Sequence, residues 1–157
     1  MIPEHVEHKT ITETIITPAH GKRDASEFRR SVKKLKQDNL YRCFVCNSQE
    51  RLQVHHIAEF SLANVINYEK LKKFLLCFDP YGYSEKIKNV PLESVDDIRN
   101  LLVLCQEHHN NVNKLGTGTG IHNLSFPSWT IQCVCNDNEN PIPQENESIN
   151  DVLNRVD

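Results

Sequence analysis

The sequence predicts a small α+β core of strands and a short helix, stapled by a structural zinc ion, with a basic helix before it and a helical insertion within it. Three observations carry this. Cys43-Phe-Val-Cys46 is a metal knuckle, and Cys105-Gln-Glu-His108 supplies a second pair of donors at matching spacing. Arg51-Leu-Gln-Val-His-His-Ile57 alternates as a half-buried strand does. The composition, 38% hydrophobic with a mean hydropathy of -0.53, favours a small core helped by a metal over one large core.

The first 22 residues read as a polar arm. Thr10–Thr17 is rich in β-branched residues and suits an edge strand or an ordered arm. His5, His8 and His20 lack ligand spacing and read as surface histidines. Asp24 is suited to cap a helix, with Glu27 as its capping-box partner. Phe28, Val32 and Leu35 then form one apolar stripe. Arg29, Arg30, Lys33, Lys34 and Lys36 cover the rest, and the helix spans about three turns. From Lys22 to Arg51 there are nine basic and four acidic residues, a balance suited either to a phosphate backbone or to a solvated face.

Asn39–Ile57 reads as an extended ribbon turning at Asn47-Ser48, with His55 and His56 on opposite faces. Residues 59–95 form an insertion whose clearest element is a helix over Tyr68–Phe78, followed by a turn at Asp79-Pro-Tyr-Gly82. Cys77 reads as a buried free thiol. The stretch Asn100–Asn113 reads as the organising segment, with a short helix over 105–113 serving two metal sites. Cys105 and His108 share one face; His109 and Asn113 share another, about 100° away. His109, four residues from Cys105, competes with His108 for the fourth zinc position.

Residues 116–135 form an extension. The glycines of Lys114–Gly120 make a loop without the ending of a phosphate-binding loop, and Cys133-Val-Cys135 is assigned no metal. Residues 136–157, with six acids and one base, read as a disordered tail with room for a short helix near Val152. No apolar run approaches the roughly 20 residues of a membrane span. No signal peptide is read at the N-terminus, so a cytoplasmic setting is expected, with cysteines as ligands or free thiols.

Tyr-Arg-Cys-x2-Cys, Val-His-His-Ile and Asn-Leu-x-x-Leu-Cys-x2-His-His together resemble the HNH endonucleases of the ββα-metal fold, in their zinc-bearing branch. The resemblance covers about Phe28–Lys114 and gives a nuclease domain over 23–115. It implies that His56 is the general base and that Asn100 braces the loop and orients that histidine. It implies His109 and His55 as ligands of a catalytic metal, with Asn113 as a further ligand. Cys43, Cys46, Cys105 and His108 match the structural zinc positions. Mg²⁺ or Mn²⁺ is the expected catalytic ion; two imidazole ligands also admit Ni²⁺, Co²⁺ or Zn²⁺.

The implied reaction is hydrolysis of DNA, nicking or cutting both strands, to leave a 5′ phosphate and a 3′ hydroxyl. Arg29, Arg30, Lys33, Lys34 and Arg42 are expected to touch phosphates. The family's free-standing members make phages, mobile elements or restriction systems the expected setting, in a bacterial or phage-infected cell. Two departures stand out. Forty-four positions separate His56 from Asn100, and Ala58-Glu59-Phe60 follow the histidine pair where proline is common. The rival readings are a non-catalytic zinc module binding nucleic acid or protein, and a nuclease directed at RNA. The first leaves His55, His56 and Asn100 without a role.

Overall fold

The computed structural model describes residues 5, 14–16, 22–110, 120–121 and 128–156. Helix α1 (Ser26–Gln37) is followed by strand β1 (Leu52–His56), helices α2 (Tyr68–Cys77) and α3 (Tyr83–Lys86), strand β2 (Leu101–Cys105), and helices α4 (Gln106–Asn110), α5 (Ser128–Val134) and α6 (Ile149–Val156). The two strands are antiparallel, in register from Leu52 opposite Cys105 to His56 opposite Leu101.

Helix α1 forms on its apolar stripe, with Leu35 fully buried. Asp24 accepts the backbone N–H of Ser26 at 2.9 Å. Glu27 makes no reciprocal capping bond among the described residues. The helix stops at Asn39, whose φ of 59° is left-handed. The amide of Leu40 returns to Leu35 O at 2.9 Å and that of Asn39 to Lys36 O at 3.2 Å. Asparagine takes this terminating conformation at little cost.

The expected ribbon over 39–57 is only partly extended. Cys43 N–H bonds Ser48 O and Asn47 N–H bonds Cys43 O, both at 2.8 Å, with Asn47 at a φ of 61°. That closed turn curls the knuckle, so only Leu52–His56 is strand. Its partner is not the knuckle but Leu101–Cys105, whose last residue reads from sequence as the start of a helix over 105–113. Four consecutive apolar residues, Leu101–Leu104, are each 0–1% exposed. A strand buried on both faces shows such a run without alternation. Cys105 therefore ends a strand and His108 sits on the short helix that follows.

Directly opposed residues of an antiparallel pair share a face. Leu52, Val54, Leu101 and Val103 pack with Leu35, Phe28, Tyr81 and Tyr83. Leu102 and Leu104 face the larger cluster, with Leu62, Leu71, Leu75, Ile131, Val134 and Val152. The sheet is thus covered by α1 with Tyr81 and Tyr83 of the insertion on one side, and by α2 and the C-terminal helices on the other. Fully burying each such side chain contributes about 1.5–3 kcal/mol.

Within the insertion, Asn67 caps α2 by accepting Lys70 N–H at 3.0 Å. Gly82, with φ 76°, opens α3, whose amides at Ser84 and Glu85 go to the Asp79 carboxylate. Leu71 and Leu75 form the buried stripe of α2, which leaves Cys77 exposed rather than buried. Arg99, 2% exposed, fixes the exit of the insertion. It pairs with Asp97 and donates to the carbonyls of Val90 and Pro91, each at 2.9 Å.

The acidic segment after Asn136 is not disordered across its described length. Ser148 and Asp151 form a reciprocal cap at the start of α6, Asp151 accepting Ser148 N–H at 2.9 Å and Ser148 Oγ accepting Asp151 N–H at 3.2 Å. Val152 and Val156 then pack into the large cluster. Arg155 holds Glu147 through both carboxylate oxygens. Of Thr10–Thr17, only Thr14–Ile16 lie among the described residues. They form no strand, and Ile16 N–H bonds Pro141 O at 2.9 Å.

Candidate metal centre and active site

Cys43, Cys46, Cys105 and His108 converge, their ligand atoms all within 4.8 Å of one another. The knuckle curl presents Cys43 and Cys46; the strand-to-helix junction presents Cys105 and His108. Tetrahedral zinc with Zn–S near 2.3 Å separates sulfurs by about 3.8 Å, from simple trigonometry. Cys46 Sγ and Cys105 Sγ are 3.8 Å apart, Cys43 Sγ and His108 Nδ1 3.7 Å, and Cys105 Sγ and His108 Nδ1 3.1 Å. The donor set fits a metal ion such as zinc. His108, not His109, takes the fourth place. Burial alone would raise the Cys43 thiol, but amides of Cys105, Cys46 and Val45 outweigh it and bring it down to about 6. A thiol poised as thiolate favours metal binding. At Cys46 the Ser48 amide pulls the other way, but burial and the sulfurs of Cys43 and Cys105 prevail and push that thiol up.

Alternation along β1 sends the two neighbouring histidines apart. His55, 2% exposed, lies with its ring centroid 5.2 Å from that of His109 on α4. Gln53, two residues before His55 and on the same face, places Oε1 at 2.6 Å from His109 Nδ1 and accepts Asn110 Nδ2 at 2.8 Å. A carbonyl oxygen accepts, so Nδ1 carries the hydrogen and Nε2 is the nitrogen with a lone pair. Metal-bound histidines are commonly oriented in this way. Asn113, the expected further ligand, lies outside the described residues.

His56, 9% exposed, faces α1. Its ring stacks on Phe28 with centroids 5.4 Å apart, and Nε2 lies 2.7 Å from Asp96 Oδ1 and 3.2 Å from an Arg23 guanidinium nitrogen. Arg23 pairs with both oxygens of Asp96, its guanidinium 4.7 Å from the Phe28 ring and 4.8 Å from that of Phe60. Burial pushes the His56 imidazole below its ordinary value; Asp96 pulls it up and Arg23 down, and the net direction is down.

Asn100 is fully buried. Its Oδ1 accepts Ala58 N–H at 2.7 Å, and its Nδ2 donates to Ala58 O at 2.9 Å and Val95 O at 2.7 Å. It ties the chain just past His56 to the chain just before Asp96. Arg29, Arg30, Lys33 and Lys34 are exposed along α1, with Lys34 paired to Asp38 at 2.7 Å. Arg42 is half-buried and reaches Asn47 at 3.4 Å. Arg29, Lys33 and Lys36 line a groove of about 330 Å³ with Phe28 and Val32, which adjoins the His56 ring through Phe28.

The structure therefore groups the sequence-predicted residues three ways: the Cys3His cluster, the His55–His109 pair, and His56 with Asn100 behind it. The contacts of His56 run to Phe28, Asp96 and Arg23, on the other face of β1 from His55. Sequence reasoning missed Arg23, Gln53 and Asp96. Gln53 carries a signal in hindsight, since it alternates with His55 along one strand. Arg23 and Asp96 carry none, being brought to His56 by the fold alone.

Two antiparallel strands, a short following helix and a four-donor metal cluster define a small α+β module consistent with a zinc-stapled ββα core. Residues 43–111 match the family model described as HNH endonuclease, the family that the sequence motifs resemble. No curated protein and no solved structure matches the chain. Among the described residues, no helix is long and apolar enough to cross a membrane.

Proposed function

We propose that the chain is a metal-dependent endonuclease that hydrolyses DNA phosphodiester bonds, with His56 as the general base. One observation supports this above the rest. His56 is nearly buried and hydrogen-bonded, its imidazole pushed below its ordinary value by burial, and it ends the strand whose preceding residue, His55, meets His109. A zinc-binding module needs neither arrangement.

In this reading the Cys3His cluster holds a structural Zn²⁺ and contributes stability. His55 and His109 hold the catalytic divalent ion, Mg²⁺ or Mn²⁺ or a softer ion, with Asn113 as a third ligand. When bound, that ion supplies positive charge to the scissile phosphate and the leaving 3′ oxygen. His56 takes a proton from water as the water oxygen bonds to phosphorus and the bond to the 3′ oxygen breaks. Asn100 holds the backbone around His56. Arg29, Arg30, Lys33, Lys34 and Arg42 follow the phosphate backbone without reading bases.

The test is nicking of supercoiled plasmid by zinc-loaded protein in Mg²⁺, Mn²⁺, Ni²⁺ or chelator. Metal-dependent cutting is expected, with His56→Ala falling by roughly 10²–10⁴-fold at unchanged zinc content. Equal cutting by both proteins would reject His56 as the base. A folded, zinc-loaded wild type that cuts neither DNA nor a matched RNA duplex in any metal would favour the non-catalytic module. Cutting of RNA alone would move the substrate and keep the chemistry.

A further inference from the structure

We propose that Asp96 is the positioning residue of His56: its carboxylate fixes the imidazole as the Nε2–H tautomer and leaves Nδ1 to accept a proton. Arg23 is the counter-charge that pairs with both oxygens of Asp96. The role given to Nδ1 rests on His56 being the general base; the tautomer itself does not.

The argument is one of donors and acceptors. His56 Nε2 lies 2.7 Å from Asp96 Oδ1 and 3.2 Å from the Arg23 guanidinium. An ionised carboxylate only accepts and a guanidinium only donates. Were Nε2 the unprotonated nitrogen, its lone pair would point at a carboxylate oxygen 2.7 Å away, and only the longer Arg23 contact would be satisfied. With the hydrogen on Nε2, the shorter contact becomes a hydrogen bond to a charged acceptor, the stronger type. Arg23 then binds Asp96 rather than the ring, as its contacts to both carboxylate oxygens indicate. A neutral imidazole carries one ring hydrogen, so Nδ1 keeps its lone pair.

Asp96 is built to do this. Its side chain is 5% exposed, where an isolated carboxylate is costly, and Arg23 offsets that cost. The guanidinium is itself held between the Phe28 and Phe60 rings. The backbone of Asp96 is fixed at both ends: its N–H goes to Ser94 Oγ at 3.0 Å, and its carbonyl accepts from Ser31 Oγ at 2.9 Å. Asn100 adds the decisive tie, since one side chain bonds Val95 beside Asp96 and Ala58 two positions past His56. Base and partner, forty positions apart in sequence, share one clamp.

The experiment reads His56 directly. Full-length, zinc-loaded protein is labelled with ¹⁵N, and the His56 ring nitrogens are assigned by their loss in His56→Ala. Long-range imidazole spectra are recorded where the ring is neutral, for wild type, Asp96→Ala and Asp96→Glu, with plasmid cleavage measured alongside. Wild type is expected as the Nε2–H tautomer. Asp96→Ala should mix the two tautomers and lower kcat at similar KM by up to about 10⁴-fold, the loss seen when a tautomer-setting carboxylate is removed elsewhere. Asp96→Glu should recover part of both.

A wild-type His56 found as the Nδ1–H tautomer overturns the proposal, and needs no variant that folds. So does an Asp96→Ala protein with tautomer and cleavage unchanged. A wild type that cuts nothing, yet loses its Nε2–H preference in Asp96→Ala, would sink the nuclease reading while upholding the positioning by Asp96.

Discussion

The Cys3His cluster and the His56 pocket sit at opposite ends of the same two strands, since Leu52 pairs with Cys105 and His56 with Leu101. They are stabilised by different means. The cluster is set by two short motifs and would be completed by an ion. The pocket needs Arg23, Phe28, Asp96 and Asn100, drawn from the segment before α1, α1 itself and the exit of the insertion. Four thiol and imidazole donors around a metal tolerate little else nearby. A buried histidine with a carboxylate partner depends on each surrounding bond being made, because any group left without one carries a desolvation cost. The difference predicts a hierarchy: removing the ion threatens the whole module, and disturbing the pocket's supports threatens chemistry first.

The largest expected effect is on the cluster. Structural zinc contributes an apparent binding free energy of about 10–16 kcal/mol in small zinc-folded peptides. Metal analysis should find one zinc per chain at this site. Cys105→Ala should lose it, and chelation of wild type should abolish the near-ultraviolet circular dichroism of the packed core. A chelated protein that keeps its signal and melting behaviour would show that the two hydrophobic clusters hold the strands unaided.

Next comes Arg99, which touches neither the metal donors nor His56. It is nearly fully buried, paired with Asp97 and bonded to the carbonyls of Val90 and Pro91. Breaking a buried pair by removing one partner costs about 3–5 kcal/mol. Arg99→Ala should lower denaturant stability by that amount while zinc content stays at one. Because Arg99 secures the loop that carries Asp96, cleavage should fall further than the unfolded fraction accounts for. Equal losses in both would mean that the loop supports the fold but not the pocket.

The same contrast explains what could be read from sequence. Cys43, Cys46, Cys105 and His108 were legible because metal donors come at spacings set by local backbone geometry, and no long-range knowledge is needed to see them. The alternation that separates His55 from His56 was legible for the same reason. The strand at Leu101–Cys105 was hidden because a strand buried on both faces loses its period, and because Cys105-x2-His108 also fits a helix. Asp96 could not be found at all: it lies in Ser94-Val-Asp-Asp97 beside another acid, and only the fold makes one the partner of His56 and the other the partner of Arg99. The helix over Ile149–Val156 answers the short helix read near Val152; its cap, Ser148 followed three positions later by Asp151, is a local signal, whereas the acidic composition around it pointed to disorder.

The smallest expected effect concerns α1, where the pocket meets solvent. Arg29 and Lys33 line the groove beside Phe28, and Phe28 stacks on His56, so a duplex backbone lying along the groove would lead to the pocket. Each phosphate contact adds about 0.9 to the slope of log affinity against log salt, and removing one basic contact lowers that slope by about 1. Binding of a DNA duplex to His56→Ala protein, chosen so that nothing is cut, should therefore lose about one unit of slope with Arg29→Gln and about two with Arg29→Gln and Lys33→Gln together. Zinc content and stability should stay unchanged, because both side chains are exposed. An unchanged slope would place the duplex elsewhere and leave these residues as a solvated helix face. A full loss of binding on removing Arg29 alone would mean that it makes a specific contact at the pocket rather than following the backbone.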